Sequence, residues 1–259
     1  MDKYDEYLKK EAEYQDSKIV NSPRRNIGKV YHDASSRFRS LERDAAIGDI
    51  ADKKVLDVGC GNGDAAMKAL RSGAYVTAID ISPKSVEYLT ACAREESLDH
   101  RLTALVMDAH KLAFDDDTFD VVYGDGILHH LPMLETAVSE IRRVLKPSGY
   151  AVFLEPLGMN PFLKVFRIAT PKLRTADEQP FRRKELNIVK GVFPEVQFRF
   201  FDCTTLLAKI PLLMGLSKFS DAAQRKLIKL DNVLIRSAKS TKITFLQKMS
   251  WIVLAKMPK

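Results

Sequence analysis

The chain of 259 residues holds few cysteines, no long apolar run and little glycine, and each shortage narrows what the protein can be. Three cysteines, Cys60, Cys92 and Cys203, make an odd number with no C-x-x-C spacing. That argues against a disulfide framework and a structural zinc site, and points to a reducing, cytoplasmic setting. No stretch approaches the roughly 18 consecutive apolar residues of a spanning helix, and Met1-Asp2-Lys3-Tyr4 is charged where a secretory signal has its apolar core. The expectation is a soluble or peripherally attached protein. Of only 12 glycines, three stand together at positions 59, 61 and 63.

Hydrophobic residues make up 46% of the chain and charged residues 29%. This is enough apolar mass to bury a full core, as one large domain or one domain with a lid. The net charge of +7 hides an asymmetry. Residues 1–150 hold 21 Lys and Arg against 26 Asp and Glu, whereas residues 151–259 hold 20 against 8. The second part suits an anionic neighbour, whether substrate, phospholipid surface or nucleic acid; a solvated basic surface gives the same count.

Residues 1–50 are polar with scattered Tyr and Leu, and Ser22-Pro23-Arg24-Arg25 breaks them into two predicted helices, an N-terminal cap. From residue 53 the texture alternates. Strands are predicted at 53–58, 75–81, 102–107, 119–123 and 150–155, with helices at 64–72, 83–96 and 134–145. Regular β/α alternation with Val- and Ile-rich strands predicts an α/β fold whose parallel sheet is covered on both faces and doubly wound. After Glu155, Pro156, Pro161, Pro171 and Pro180 predict short helices and turns across the mouth of the sheet. Residues 196–201 and 251–256 read as two last strands, seven in all, and the long segment between them reads as an inserted helical lid. The division expected is a cap at 1–50, a core at 51–156, and lid insertions with the last two strands at 157–259.

The strongest chemical signal is Val55-Leu56-Asp57-Val58-Gly59-Cys60-Gly61-Asn62-Gly63-Asp64, an apolar strand running through alternating glycines into a helix. Glycines there permit a tight turn and let main-chain N–H groups approach a bound cofactor. Asp80, at the end of the second strand, can accept both hydroxyls of a nucleoside ribose. The spacing is G-x-G-x-G, not the G-x-G-x-x-G of nicotinamide enzymes.

Four further blocks follow in order: Ala78-Ile79-Asp80-Ile81-Ser82; Met107-Asp108-Ala109; Phe119-Asp120-Val121-Val122-Tyr123 leading to Leu128-His129-His130-Leu131; and Leu145-Lys146-Pro147-Ser148-Gly149-Tyr150. With these, residues 50–156 resemble the class I S-adenosylmethionine-dependent methyltransferases, in the small-molecule group with a methyltransferase type 11 domain. The resemblance implies a Rossmann-like sheet and S-adenosylmethionine as cofactor. It implies that Gly59, Cys60, Gly61 and Gly63 cradle the methionine portion, with Asp57 near its ammonium group. It further implies that Asp80 holds the ribose, Ile81 packs on adenine, Asp108 and Ala109 meet the adenine edge, and Gly124 and Asp125 line the site near the sulfonium.

Methyl transfer needs a base only where the acceptor must lose a proton, and His129, His130 and Glu155 are the candidates for a hydroxyl acceptor. The Asp115-Asp116-Asp117 run reads as a solvated turn, and no metal site is expected. Substrate choice falls to the parts outside the resemblance, including Tyr31 and His32 of the cap and the basic, apolar segment 203–248. That segment suits either an interfacial helix touching a membrane or a lid packed on its own domain. The acceptor expected is small and apolar or amphipathic, a natural-product, quinone-like or lipid-linked compound, with O-methylation favoured. A nucleic-acid methyltransferase is the alternative among enzymes, though Tyr123-Gly124-Asp125-Gly126 lacks the motif that holds a flipped base. A non-catalytic S-adenosylmethionine-binding scaffold is the alternative outside them. Oligomeric state is not readable.

Overall fold

The computed structural model describes residues 3–21, 34–161, 164, 179–205, 217–235 and 244–259. Tyr31, His32, most of the proline-rich stretch, and 206–216 and 236–243 of the expected lid lie outside them.

Seven strands form one sheet: β1 (Lys54–Val58), β2 (Tyr75–Asp80), β3 (Leu102–Val106), β4 (Phe119–Asp125), β5 (Leu145–Pro156), β6 (Gln197–Phe201) and β7 (Ile252–Pro258), in the order β3-β2-β1-β4-β5-β7-β6. The first five are parallel, and β7 runs antiparallel between β5 and β6. The helices are α1 (Lys3–Asn21), α2 (Ala34–Ile47), α3 (Asp64–Arg71), α4 (Pro83–Glu95), α5 (Leu134–Val144), α6 (Arg183–Val192), α7 (Ser217–Leu234) and the short α8 (Phe245–Lys248).

Side chains alternate across a strand, so neighbours in β1 and β4 enter different cores. Val55, Val121 and Tyr123 pack with Met67 and Leu70 of α3 and Leu89 of α4, whereas Leu56, Val58 and Val122 pack with Ile141 of α5 and Leu186 of α6. Two buried faces explain why these strands are continuously apolar. Local chemistry sets the helix starts. Gly63, in the left-handed region at φ 76°, turns β1 into α3; Ser82 caps α4 by accepting from the Ser85 N–H, with Pro83 in its first turn.

One feature departs from the expected elements. β5 begins at Leu145, which pairs with Phe119 before the register shifts, so the Lys146-Pro147-Ser148-Gly149 turn is a bulge within the strand. The longer described helix of the 203–248 insertion, α7, packs on α2 of the cap. Asp231 of α7 accepts from the backbone N–H groups of Cys203, Thr204 and Thr205, and Gln224 accepts from Ser35 N at 2.9 Å.

β1 pairs with β2 on one side and β4 on the other. The chain reverses its direction of travel across the sheet there, which opens a crevice at the carboxyl ends of these strands.

Candidate functional site

A cavity of about 250 Å³ fills that crevice, lined among others by Gly59, Gly61, Asp80, Ile81, Asp108, Ala109, Asp125 and His130. Its floor is the glycine turn. A Cβ on Gly59 would stand 2.7 Å from the Ile127 side chain, so no larger residue fits, while Gly61 faces open space with φ 49°. Gly61 donates its N–H to Asp80 Oδ2 and Ser82 donates to Asp80 Oδ1, both at 2.9 Å. These two bonds hold a buried carboxylate at the edge of the cavity with acceptor capacity to spare. Burial raises the Asp80 carboxyl above the ordinary range, against its backbone hydrogen bonds.

Asp108 is set differently. Its Oδ1 accepts from the His110 N–H at 2.9 Å and lies 2.7 Å from His110 Nδ1, and its Oδ2 accepts from the Tyr4 hydroxyl at 2.6 Å. Burial pushes its carboxyl up, but the His110 and Tyr4 hydrogen bonds outweigh that and hold it below the usual range.

Beneath the glycine turn lies a knot of charge. Asp57 is 2% exposed, and its Oδ2 has no hydrogen-bond partner among the described residues. Burial, reinforced by Asp125, pushes its carboxyl up to about 8, with Tyr123 and Arg43 pulling the other way. Arg43 of α2 reaches across to Asp125 and also binds Asp44 at 2.9 Å. Three carboxylates, Asp57, Asp80 and Asp125, thus surround the glycine turn with one guanidinium among them. The arrangement suits a ligand bearing positive charge and a vicinal diol.

On the far side of β4, Glu155 is 1% exposed and both its oxygens are occupied. Oε1 accepts from Ile127 N and Leu128 N at 3.1 and 2.9 Å, and Oε2 accepts from His129 N at 3.3 Å and lies 2.7 Å from His129 Nδ1. The His129 ring lies against that of His130, centroids 4.1 Å apart and planes tilted by 43°.

The methyltransferase domain family model matches residues 56–153, the stretch that carries every strand end lining the cavity from the sheet. Residues 56–153 thus resemble a methyltransferase domain.

Likeness to individual proteins is partial. A sterol 24-C-methyltransferase of Gibberella zeae is 43% identical over 97 residues, 37% of this chain and 26% of that protein. A probable phthiotriol/phenolphthiotriol dimycocerosates methyltransferase of Mycobacterium ulcerans is 33% identical over 154 residues, 58% of this chain and 57% of the relative. The matched stretch therefore spans about a quarter to a little over half of these relatives. Among solved structures, geranyl diphosphate C-methyltransferase from Streptomyces coelicolor superposes with a TM-score of 0.56 over 86% of this chain and 80% of its own, at 16% identity. At that identity it shares the fold. The doubly wound, mostly parallel, seven-stranded sheet read from the sequence is the fold found.

Of the residues singled out in the sequence, Gly59, Gly61, Asp80, Ile81, Asp108, Ala109, Asp125 and His130 meet at the cavity. Asp57, Cys60, Gly63, Gly124, His129 and Glu155 stand behind its wall. Gly63 is pressed against Leu89, where a Cβ would come to 2.9 Å, and a Cβ on Gly124 would strike Ile127 and Phe153 at 2.7 Å. The roles of these glycines are ones of space. The acidic run is a turn held by cations, with Arg143 on Asp116 at 2.8 Å and Lys259 on Asp117.

Sequence reasoning missed one wall altogether. Tyr7, Leu8, Glu11 and Gln15 of α1 line the cavity, and His110 joins them from the loop after β3. Tyr4, Tyr7, Leu8, Glu11 and Gln15 recur at helical three- and four-residue steps, a one-faced pattern. The face is largely polar, so apolar periodicity does not reveal it.

Proposed function

We propose that this protein is an S-adenosylmethionine-dependent methyltransferase acting on a small apolar or amphipathic acceptor. The observation that carries this reading is the cradle made by Gly59, Gly61 and Asp80 at the switch point between β1 and β4. The residues fit the cofactor: the glycine turn lets the backbone approach, Asp80 offers two oxygens to a ribose, and Asp125 at the cavity faces the cofactor's positive charge. When bound, the cofactor supplies an activated methyl group, so the protein's work is alignment, exclusion of water and, for a hydroxyl acceptor, removal of a proton.

For that proton His129 is the residue proposed, beside the cavity-lining His130 and meeting the acceptor from outside the cofactor's cavity. Glu155 lies 2.7 Å from its Nδ1, a contact that fixes the orientation of the ring. With four donors on its two oxygens, Glu155 acts by orienting His129. The acceptor favoured is a hydroxyl on a natural-product or lipid-linked compound. The relatives, a sterol and a dimycocerosate methyltransferase, support greasy acceptors.

Peripheral membrane contact belongs to the same proposal. Among the described residues no helix is long and apolar enough to cross a membrane. α7 exposes Lys226, Lys229, Leu230 and Val233 at spacings that share one face, a basic and apolar stripe suited to an anionic lipid surface. The three cysteines are free thiols, in keeping with a cytoplasmic setting.

The test is calorimetric titration with S-adenosylmethionine and S-adenosylhomocysteine, with NAD as control, followed by transfer of labelled methyl to lipophilic alcohols. Micromolar binding of the first two without NAD binding, and labelled product, are expected. Equal indifference to all three would refute the reading.

A further inference from the structure

α1 crosses the cavity and is fastened to three different loops, each following a different strand. After β3, the Tyr4 hydroxyl lies 2.6 Å from both Asp108 Oδ2 and His110 Nδ1. After β4, the Tyr7 hydroxyl donates to the His130 carbonyl and Glu11 lies 3.3 Å from His130 Nδ1. After β2, Asp16 accepts from the Ser82 hydroxyl. Between these points Tyr7, Leu8, Glu11 and Gln15 face Gly59, Gly61 and Asp80 across the cavity. A nucleoside held on the strand ends is therefore enclosed from above by α1.

We propose that α1 is a strap over the cofactor, latched at its adenine end by Tyr4 on Asp108 and His110, and that release of this latch sets the rate of cofactor exchange. The inference rests on the reading of the cleft given above. Asp108 is suited to the role because each carboxylate oxygen has two acceptor positions. Tyr4 uses one on Oδ2 and leaves another for a base amino group, so strap and ligand can share the carboxylate. His110 completes the latch. Its Nδ1 meets both Asp108 and Tyr4, its ring packs edge-on to Tyr4 with centroids 5.4 Å apart, and its side chain is nearly inaccessible. Neither Tyr4 nor His110 need touch the reacting atoms. Both are positioning residues.

A strap that must open for passage in either direction slows binding and release together, whereas a simple ligand contact slows release alone. Tyr4→Phe keeps the ring and removes the hydroxyl. Tritiated S-adenosylhomocysteine, bound and then chased with unlabelled ligand, measures release, and rapid filtration measures association. In Tyr4→Phe both rates are expected to rise about tenfold or more, the effect of a hydrogen bond to a charged group, with Kd moving less than threefold. Amide hydrogen exchange should quicken across α1 and stay unchanged in β1 to β5.

Unchanged rates and unchanged α1 exchange would overturn the strap. So would a Kd that weakens in step with faster release at constant association, which makes Tyr4 a ligand contact. Binding by Tyr4→Phe but not by the parent would support a strap that stays shut. Failure of both to bind overturns the reading of the cleft and the strap with it, whereas binding by both at equal rates overturns the strap alone.

Discussion

Nδ1 of His129 lies 2.7 Å from Oε2 of Glu155, a carboxylate that also gathers the backbone N–H groups of residues 127, 128 and 129. One buried side chain thus shapes the turn after β4 and orients the imidazole within it. His129→Ala is expected to lower turnover by about 10²–10⁴-fold, the range for general acid–base catalysis, with the Kd for S-adenosylhomocysteine within twofold of the parent. Steady-state kinetics beside calorimetry checks this, and proportional loss of binding would remove the catalytic role.

Asp80→Ala is expected to weaken cofactor binding by roughly 1.5–3 kcal/mol, the worth of a charge-assisted contact, while far-ultraviolet circular dichroism stays native. Unchanged affinity by calorimetry would withdraw Asp80 from the ribose.

Arg43 ties α2 to the site through Asp125 and has a side chain only 9% exposed. Arg43→Met leaves Asp125 without its cation. The expected loss is roughly 3 kcal/mol, the lower end of the range for breaking a buried pair, because the Asp125 side chain keeps 36% exposure. Urea denaturation with an unchanged m-value would show it.

Asp57 contributes a pH dependence of its own. Burial first, and then Asp125, lift its folded-state carboxyl from 3.8 to about 8. A raised folded pKa gives stability that is present below the unfolded value and is lost as pH rises through the folded one. Between pH 4 and 8, then, the carboxyl progressively disfavours the folded state. Asp57→Asn should raise the melting temperature more at pH 8.5 than at pH 5, by a few degrees at about 2–4 °C per kcal/mol. An equal shift at both pH values would contradict the burial argument.

The stripe on α7 predicts a lipid preference. Vesicles containing phosphatidylserine should co-sediment the protein at low salt and release it at high salt, and neutral phosphatidylcholine vesicles should not retain it. A Leu230→Glu, Val233→Glu pair, both side chains already exposed, should abolish retention without altering thermal stability. Retention by neutral vesicles or an unaffected double variant would count against this surface.

Much of the core was legible because its local and global demands agree. The step from Val58 into Gly59, Gly61 and Gly63 needs backbone that only glycine supplies, and Asp80 sits where a strand must end facing a ligand. These are constraints on adjacent residues, so a linear reading finds them. Asp57, Gly124 and Glu155 were visible as positions, but their places behind the cavity wall were not. Which side of a wall a side chain occupies depends on β4, α2 and the turn at 127–129 meeting from distant parts of the chain.

The seven strands, the helices between the first five, and the cofactor-binding motif followed from periodicity, apolar runs and glycine spacing, since each is decided within a few neighbours. Tertiary structure alone decided the antiparallel insertion of β7 between β5 and β6, the docking of α7 on α2, and the placement of α1 over the site with Tyr4 against Asp108. Contacts between residues a hundred positions apart leave no periodic trace in either partner. Polar partners such as Tyr4 and His110 add no apolar pattern to betray them, so only the folded chain brings them together.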